Sequence, residues 1–385
     1  MRADFSLQAL ATGILVAFVG FGSSFAVILQ GLTAAGATQS QAASGLMALS
    51  IAMGVCAIIV SLWTRLPISI AWSTPGAALL ATSNLTIGFN AAVGAFLATG
   101  ALIVAAGLFR PLGRWVAAIP AALANAMLAG VLLGLCLAPV RAVAQAPALG
   151  LAVFVTWAVV ARWRRLFAVP AAVLVAFALI WLTAPAGVEL GSLWPHAEFV
   201  MPAFSPSALI SVAVPLFIVT MASQNIPGMA VLHLNGVRPN AGKLFEITGV
   251  FTMLAAPFGG HAVNLAAITA ALCAGPDAHP DPRRRYWAAA VAGAGYILLG
   301  LLAGAATAAV RAAPPVLIEA VAGLALLGAF AGALLGAVHA PEDREAAVIT
   351  FLVAASGLTL FGIGGAFWGL IAGGAVRALA RAKFA

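Results

Sequence analysis

The chain has 385 residues, of which 64% are hydrophobic and only 7% charged, with a mean hydropathy of +1.12; an ordinary soluble domain carries about 25% charged residues. So little polar material cannot cover a water-facing surface, which excludes a soluble fold and leaves the bilayer as the main solvent. The net charge of +8 would point to nucleic acid in a soluble protein, but here the basic residues lie in ones, twos and threes between apolar runs, as topology signals do, and no nucleic-acid partner is expected.

Apolar runs punctuated by Gly, Pro and charge predict fourteen spans, at 8–31, 40–63, 67–84, 87–108, 112–137, 147–162, 166–184, 206–231, 241–256, 258–275, 284–310, 314–338, 343–359 and 361–381. The first follows Arg2 and Asp4, is longer than a signal-peptide core and is read as retained. With the N-terminus inside, every Lys and Arg except Arg141 and Arg311 falls in an inner segment, so both termini are expected in the cytoplasm. The longest polar connection, with Glu189, His196 and Glu198, is read as an outer linker over 186–205. Cys56, Cys136 and Cys273 lie inside apolar runs without paired spacing; no disulfide, metal or cofactor is expected.

The halves 1–185 and 206–385 show weak internal similarity. Phe18 to Ser24 aligns with Ile218 to Gln224, and Pro120, Leu123, Ala126, Leu132, Leu133 and Gly134 align with Pro314, Leu317, Ala320, Leu326, Leu327 and Gly328 at a near-constant offset. Seven spans per half is an odd number, so the second half enters the membrane inverted. The expected fold is an all-α polytopic membrane protein, a 7+7 inverted repeat of the kind that works by alternating access, with two short β-like stretches and half-helices in spans 3 and 10.

Spans 3 and 10 are expected to break. Pro67 and Pro75 cannot share one continuous helix, so Leu66 to Trp72 reads as a short β-like stretch before a helix capped by Ser73 or Thr74. In the second half Ala256-Pro257-Phe258-Gly259-Gly260-His261 precedes a helix-compatible run through Asn264. Irregular backbone at membrane depth survives only where it is buried in protein or lines a cavity, so the two breaks mark a site. Half-helix N-termini present N–H groups and partial positive charge, which favours a carboxylate. Around them lie Ser23, Ser24, Ser73, Thr74, Ser223, Gln224, Asn225, Gly260, His261 and Asn264, with no Asp or Glu; Phe21, Phe25, Trp72 and Phe258 offer an apolar wall for a ring.

Three residues are candidates for carrying a coupled proton. His261 titrates near neutrality in its free form, its alternative role being a neutral hydrogen bond to the broken backbone. Glu246 follows Lys243 by three residues and reads equally well as half of an ion pair. Glu319 lies in the first turns after Pro314-Pro315, where a carboxylate complements the helix dipole.

The run from Ala256 through His261 into Asn264-Leu265-Ala266-Ala267-Ile268-Thr269-Ala270, with Asn225-Ile226-Pro227-Gly228 before it, resembles the bacterial benzoate/proton symporters over essentially the whole chain. That family is related in fold to the nucleobase/proton symporters and sulfate transporters. The resemblance implies a core of spans 1–4 and 8–11, a gate of spans 5–7 and 12–14, and proton-driven uptake of benzoate or a similar aromatic carboxylate across a bacterial inner membrane. The nucleobase carriers hold their base with carboxylates in spans 8 and 10; here Gln224, Asn225, His261 and Asn264 stand in those stretches, which favours an anion. The alternative is a carrier of another small anion or a nucleobase on the same fold. An enzyme is not expected, because no His-Glu-x-x-His, paired intramembrane Asp or Gly-x-Ser-x-Gly occurs. Small-residue spacings are everywhere in a chain with 40 Gly, which leaves a homodimer open.

Overall fold

The computed structural model describes residues 6–82, 88–109, 120–183, 194–266, 268–312, 315–360 and 363–381. Arg2, Asp4, Arg110, Arg114, Glu189, Ala267, Pro314 and Lys383, used in the readings above, lie outside the described residues, as does the linker over 184–193.

The first half runs α1 (Leu7–Gly22), α2 (Phe25–Ala34), α3 (Gln39–Thr64), β1 (Ile70–Trp72), α4 (Thr74–Thr82), α5 (Phe89–Leu108), α6 (Ala121–Cys136), α7 (Ala138–Gln145), α8 (Pro147–Arg164) and α9 (Ala168–Thr183). The second runs α10 (Pro206–Leu234), α11 (Ala241–Ala255), β2 (Val263–Leu265), α12 (Ile268–Ala274), α13 (Tyr286–Leu301), α14 (Ala303–Ala312), α15 (Pro315–Val338), α16 (Arg344–Ala355), a small hairpin β3 (Thr359–Leu360) and β4 (Ile363–Gly364), and α17 (Gly365–Arg381). Among the described residues six helical stretches are long and apolar enough to cross a bilayer: Leu7–Ala34, Gln39–Thr64, Phe89–Leu108, Ala121–Gln145, Pro206–Leu234 and Val316–Val338. The other expected spans fall on shorter, interrupted or less apolar helices, which length and composition alone do not mark as crossing a bilayer. Two breaks escaped the sequence reading, the step at Ser23–Ser24 between α1 and α2 and the turn at Leu302 between α13 and α14; the turn at Leu137 between α6 and α7 falls at the expected end of the fifth span.

The expected breaks in spans 3 and 10 are extended strands, and they pair with each other. β1 and β2 are antiparallel, with Ile70 opposite Leu265, Ala71 opposite Asn264 and Trp72 opposite Val263. The ladder continues at both ends, where Ala266 N donates to Ser69 O (2.9 Å) and Ser73 N to Ala262 O (3.1 Å). On the far edge of β2, Thr252 Oγ1 accepts from Val263 N (2.9 Å) and Asn225 Oδ1 accepts from Leu265 N (2.9 Å). The helix-compatible run expected from Gly260 through Asn264 is therefore corrected: a strand intervenes and α12 begins at Ile268. Gly259 takes φ +91°, a left-handed conformation that suits glycine, while at Gly260 a Cβ would lie 2.6 Å from Ala255 Cβ.

Helices of 7–108 pack mainly on those of 206–301. α3 and α1 lie against α13, α5 against α11, and α2 against α4. Contact is close because small residues meet: a Cβ at Gly54 would lie 2.5 Å from Gly293 O, and one at Gly293 2.6 Å from Gly54 O. A second group joins α6 to α15 and α16, α16 to α17, and α8 to α9. The described part of the linker is stitched down, with Glu198 N donating to Ser44 Oγ (2.9 Å), Val200 N to Pro257 O (2.7 Å) and Ala203 N to Asn90 O (2.9 Å).

The C-terminal helix is fastened by charge. In the turn Pro341–Asp343, Asp343 is buried and accepts from Arg377 Nε (2.7 Å) and Arg381 Nη2 (3.2 Å), both on α17. The Arg377 hydrogen bond holds the Asp343 carboxyl below its ordinary pKa. A lowered folded-state value gives stabilisation that is complete above the ordinary carboxylate range and is lost as pH falls through the lowered value. Asp343→Asn is expected to cost about 1–2 kcal/mol and to remove that acid-side loss; thermal unfolding in detergent across a pH series checks both, and an unchanged profile would contradict the assignment.

Candidate functional site

Where the breaks converge there is a cavity of about 180 Å³. The step between α1 and α2 contributes Gly20, Ser23 and Ser24; β1 and the start of α4 contribute Trp72, Thr74 and Pro75; α10 contributes Gln224; the entry to α12 contributes Ala266 and Thr269. Met53 of α3, Tyr296 of α13 and Ala325, Leu326, Gly328 and Ala329 of α15 close it, and no described Asp, Glu, Lys, Arg or His lines it.

Each wall is held by a local device. Past Gly22 the helix steps, and the hydroxyls of Ser24 (3.0 Å) and Ser23 (3.4 Å) donate back to Gly20 O. Trp72 Nε1 donates to Ser24 Oγ (2.8 Å), tying β1 to the step. Gly20 itself is required, because a Cβ there would collide with the Tyr296 hydroxyl, which lies 3.3 Å from Val16 O. At the position aligned with Ser23–Ser24, α10 contains a π-turn over Met221–Asn225. One inserted residue per turn rotates neighbouring side chains apart: Gln224 lines the cavity, while Asn225 is fully buried and binds the edge of β2.

Ser73 caps α4. Its Oγ accepts from Gly76 N (3.2 Å) and from Thr220 Oγ1 (2.9 Å), and its carbonyl accepts from Ala77 N (2.9 Å). Pro75 has no N–H, which leaves Thr74 as the first-turn N–H not engaged in capping. Half-exposed Thr74 and Gln224 are the cavity side chains best placed to donate to a ligand.

Five residues expected at the site line the cavity: Ser23, Ser24, Trp72, Thr74 and Gln224. Ser73, Asn225, Gly260, His261 and Asn264 lie behind it as buried framework. Phe25 is buried and stacks on Phe21 (5.6 Å), which in turn meets Trp72 (5.4 Å), so it supports the aromatic wall from beneath. Phe258 faces Phe199 and a separate apolar crevice. His261 Nε2 lies 2.8 Å from Ser73 O; a carbonyl only accepts, so Nε2 carries the proton and the Nδ1 lone pair is buried without a partner among the described residues. Asn264 donates to Leu265 O (2.8 Å), and its Oδ1 likewise has none. Glu246 is paired with Lys243 (2.7 Å) and does not line the cavity. Glu319 is half-buried on α15 and also off the cavity, two helical turns before Leu326 on the same face.

Tyr296, Thr269, Met53 and the α15 wall were not singled out from the sequence. Tyr296 carried a usable signal, being one of two tyrosines in the chain and set in an apolar run. The α15 wall, Ala325-Leu326-Leu327-Gly328-Ala329, is indistinguishable by type from the lipid-facing runs around it.

The model of the benzoate membrane transport protein family, BenE, matches residues 3–379. A protein of Escherichia coli named inner membrane protein YdcO is 42% identical over 368 residues, covering 95% of this chain and 94% of its own length. The benzoate membrane transport protein of Acinetobacter baylyi is 30% identical over 377 residues, covering 97% and 95%. Among solved structures, the transmembrane domain of the cyanobacterial bicarbonate transporter BicA superposes with a TM-score of 0.60 over 95% of this chain and 97% of that one; at 15% identity this likeness speaks to the fold. A membrane transporter rather than an enzyme, the chain belongs to the benzoate membrane transport protein family.

Proposed function

We propose that the protein takes up benzoate or a similar small aromatic carboxylate together with a proton, by alternating access, in a bacterial inner membrane with both termini in the cytoplasm. One observation carries the reading: a cavity of about 180 Å³, set at the start of α4, that has aromatic and apolar walls, hydroxyl and amide donors and no charged side chain among the described residues. A dry cavity of roughly 150 Å³ is large enough to hold benzene, so one ring with a carboxylate is the natural scale of ligand. Absence of Asp and Glu favours an anion, since like charges in a low dielectric repel strongly. The carboxylate belongs at the N-terminus of α4, with the Thr74 N–H and hydroxyl and the Gln224 amide as donors; the ring belongs against Trp72, Met53 and the α15 wall. Benzoate in the printed names of the family and of the Acinetobacter baylyi relative supports the same choice.

For the coupled proton, Nδ1 of His261 is the preferred acceptor. It lies one side chain behind Ser73 O, at the head of the helix assigned to the carboxylate. An imidazolium there is costly while the cavity is empty and is offset when an anion occupies it, which links the two bindings electrostatically. Glu319 and the paired Glu246 are the acidic alternatives. The group of α1–α5 with α10–α14 serves as the moving core and the group of α6–α9 with α15–α17 as the gate, in a 7+7 arrangement.

Uptake into proteoliposomes under an inward proton gradient is expected to be competed by benzoate and not by uracil or sulfate; competition by either of the latter would move the assignment to the other small-anion or nucleobase reading. Thr74→Asp places a second negative charge at the anion site. At about 4 Å and an effective dielectric near 20 this repulsion is about 4 kcal/mol, or roughly three orders of magnitude in affinity, and unchanged benzoate binding would remove the half-helix argument. His261→Gln is expected to keep benzoate exchange while losing proton-driven accumulation. Accumulation with an unaltered pH profile in that variant would transfer the role to Glu319 or Glu246.

A further inference from the structure

Two glycines line the cavity, for opposite reasons. At Gly20 a Cβ would run into the Tyr296 hydroxyl, so protein already fills the space. At Gly328, on the α15 wall beside Ala325, Leu326 and Ala329, a Cβ would meet no atom within 4 Å. Of the described glycines with such open space, Gly328 is the one that lines this cavity. Its backbone does not require glycine, because Gly328 is not among the residues with positive φ and lies inside a continuous helix, where glycine is less favourable than alanine. Gly328 is exposed, and neither a packing contact nor backbone conformation holds glycine at this point of the cavity wall.

We infer that Gly328 is a specificity-determining residue, whose missing side chain sets the largest ring substituent the cavity admits. This rests on the reading of the cavity as the substrate site. Each carbon added at 328 takes volume from the ligand rather than from the protein, so discrimination shifts with ligand size while the fold is left alone. Opposed apolar surfaces of this kind discriminate by about tenfold or more per methylene.

The test compares benzoate with 4-ethylbenzoate on purified protein, as the wild type, Gly328→Ala and Gly328→Val. Both variants are expected to fold, with benzoate affinity reduced less than that of 4-ethylbenzoate in each. 4-Ethylbenzoate is expected to weaken by about tenfold or more in Gly328→Val, with Gly328→Ala between. An unchanged ratio of the two affinities, or an equal loss of both, overturns the inference. A second measurement does not depend on the substrate. Cys56, Cys136 and Cys273 are buried, so in Gly328→Cys a small methanethiosulfonate reagent is expected to modify the new thiol in native membranes, and a bulky maleimide to fail. An unreactive thiol, or one open to both reagents alike, overturns the placement of Gly328 on a confined wall. Should the wild type bind neither benzoate nor its ethyl derivative, the aromatic-carboxylate reading falls, and the thiol result still decides whether residue 328 bounds the cavity.

Discussion

Everything near the centre of this protein depends on six residues of extended backbone finding each other. Hydrocarbon offers no hydrogen-bonding partner, so an unpaired N–H or C=O at that depth costs several kcal/mol. Ile70–Trp72 and Val263–Leu265 meet that demand mutually, through an antiparallel ladder extended by Ser69 and Ala266 at one end and Ser73 and Ala262 at the other. The outer edge of β2 is met by side chains, Thr252 from α11 and Asn225 from α10. Once the ladder is closed, α4 and α12 can begin inside the protein instead of at its surface, and the end of a helix becomes part of a cavity wall.

The residues around that wall divide by what their polar atoms already do. Ser73, Asn225 and Ser24 spend theirs on the framework, as N-cap, strand edge and partner of Trp72. Thr74 and Gln224 line the same cavity without such duties in capping or pairing. A cavity can therefore be rich in polar residue types and yet have few donors to give a ligand, which makes the start of α4 the electrostatic centre of the site.

Much of this was legible in the sequence, and the limits have physical causes. Pro67, Pro75 and Pro257 announce breaks because proline cannot continue a helix, and hydropathy marks long helices such as α3 and α5 to within a few residues. The step at Ser23–Ser24 was hidden because serine is compatible with a helix: its hydroxyls bond back to Gly20 O just as Ser50 bonds to Leu46 O inside the unbroken α3. For the same reason the choice between Gln224 and Asn225 could not be read, since a π-turn has no residue signature and decides which of two adjacent amides meets the cavity. His261 and Asn264 are buried polar residues that bond the backbone carbonyls of Ser73 and Leu265 instead of lining the cavity, a placement set by the fold and not by local pattern. The α15 wall was invisible because a cavity is made by what side chains leave empty.

The ladder also sets a timetable for biogenesis. Ile70 meets Leu265, so β1 has left the ribosome long before its partner has been translated. At about 5–20 residues per second the delay is roughly 10–40 seconds. Throughout that interval the nascent first half holds a stretch of backbone that lipid cannot satisfy, and water or the insertion machinery must shelter it. The central sheet is thus closed late in biogenesis, by the second half arriving on a first half that is already waiting in the membrane.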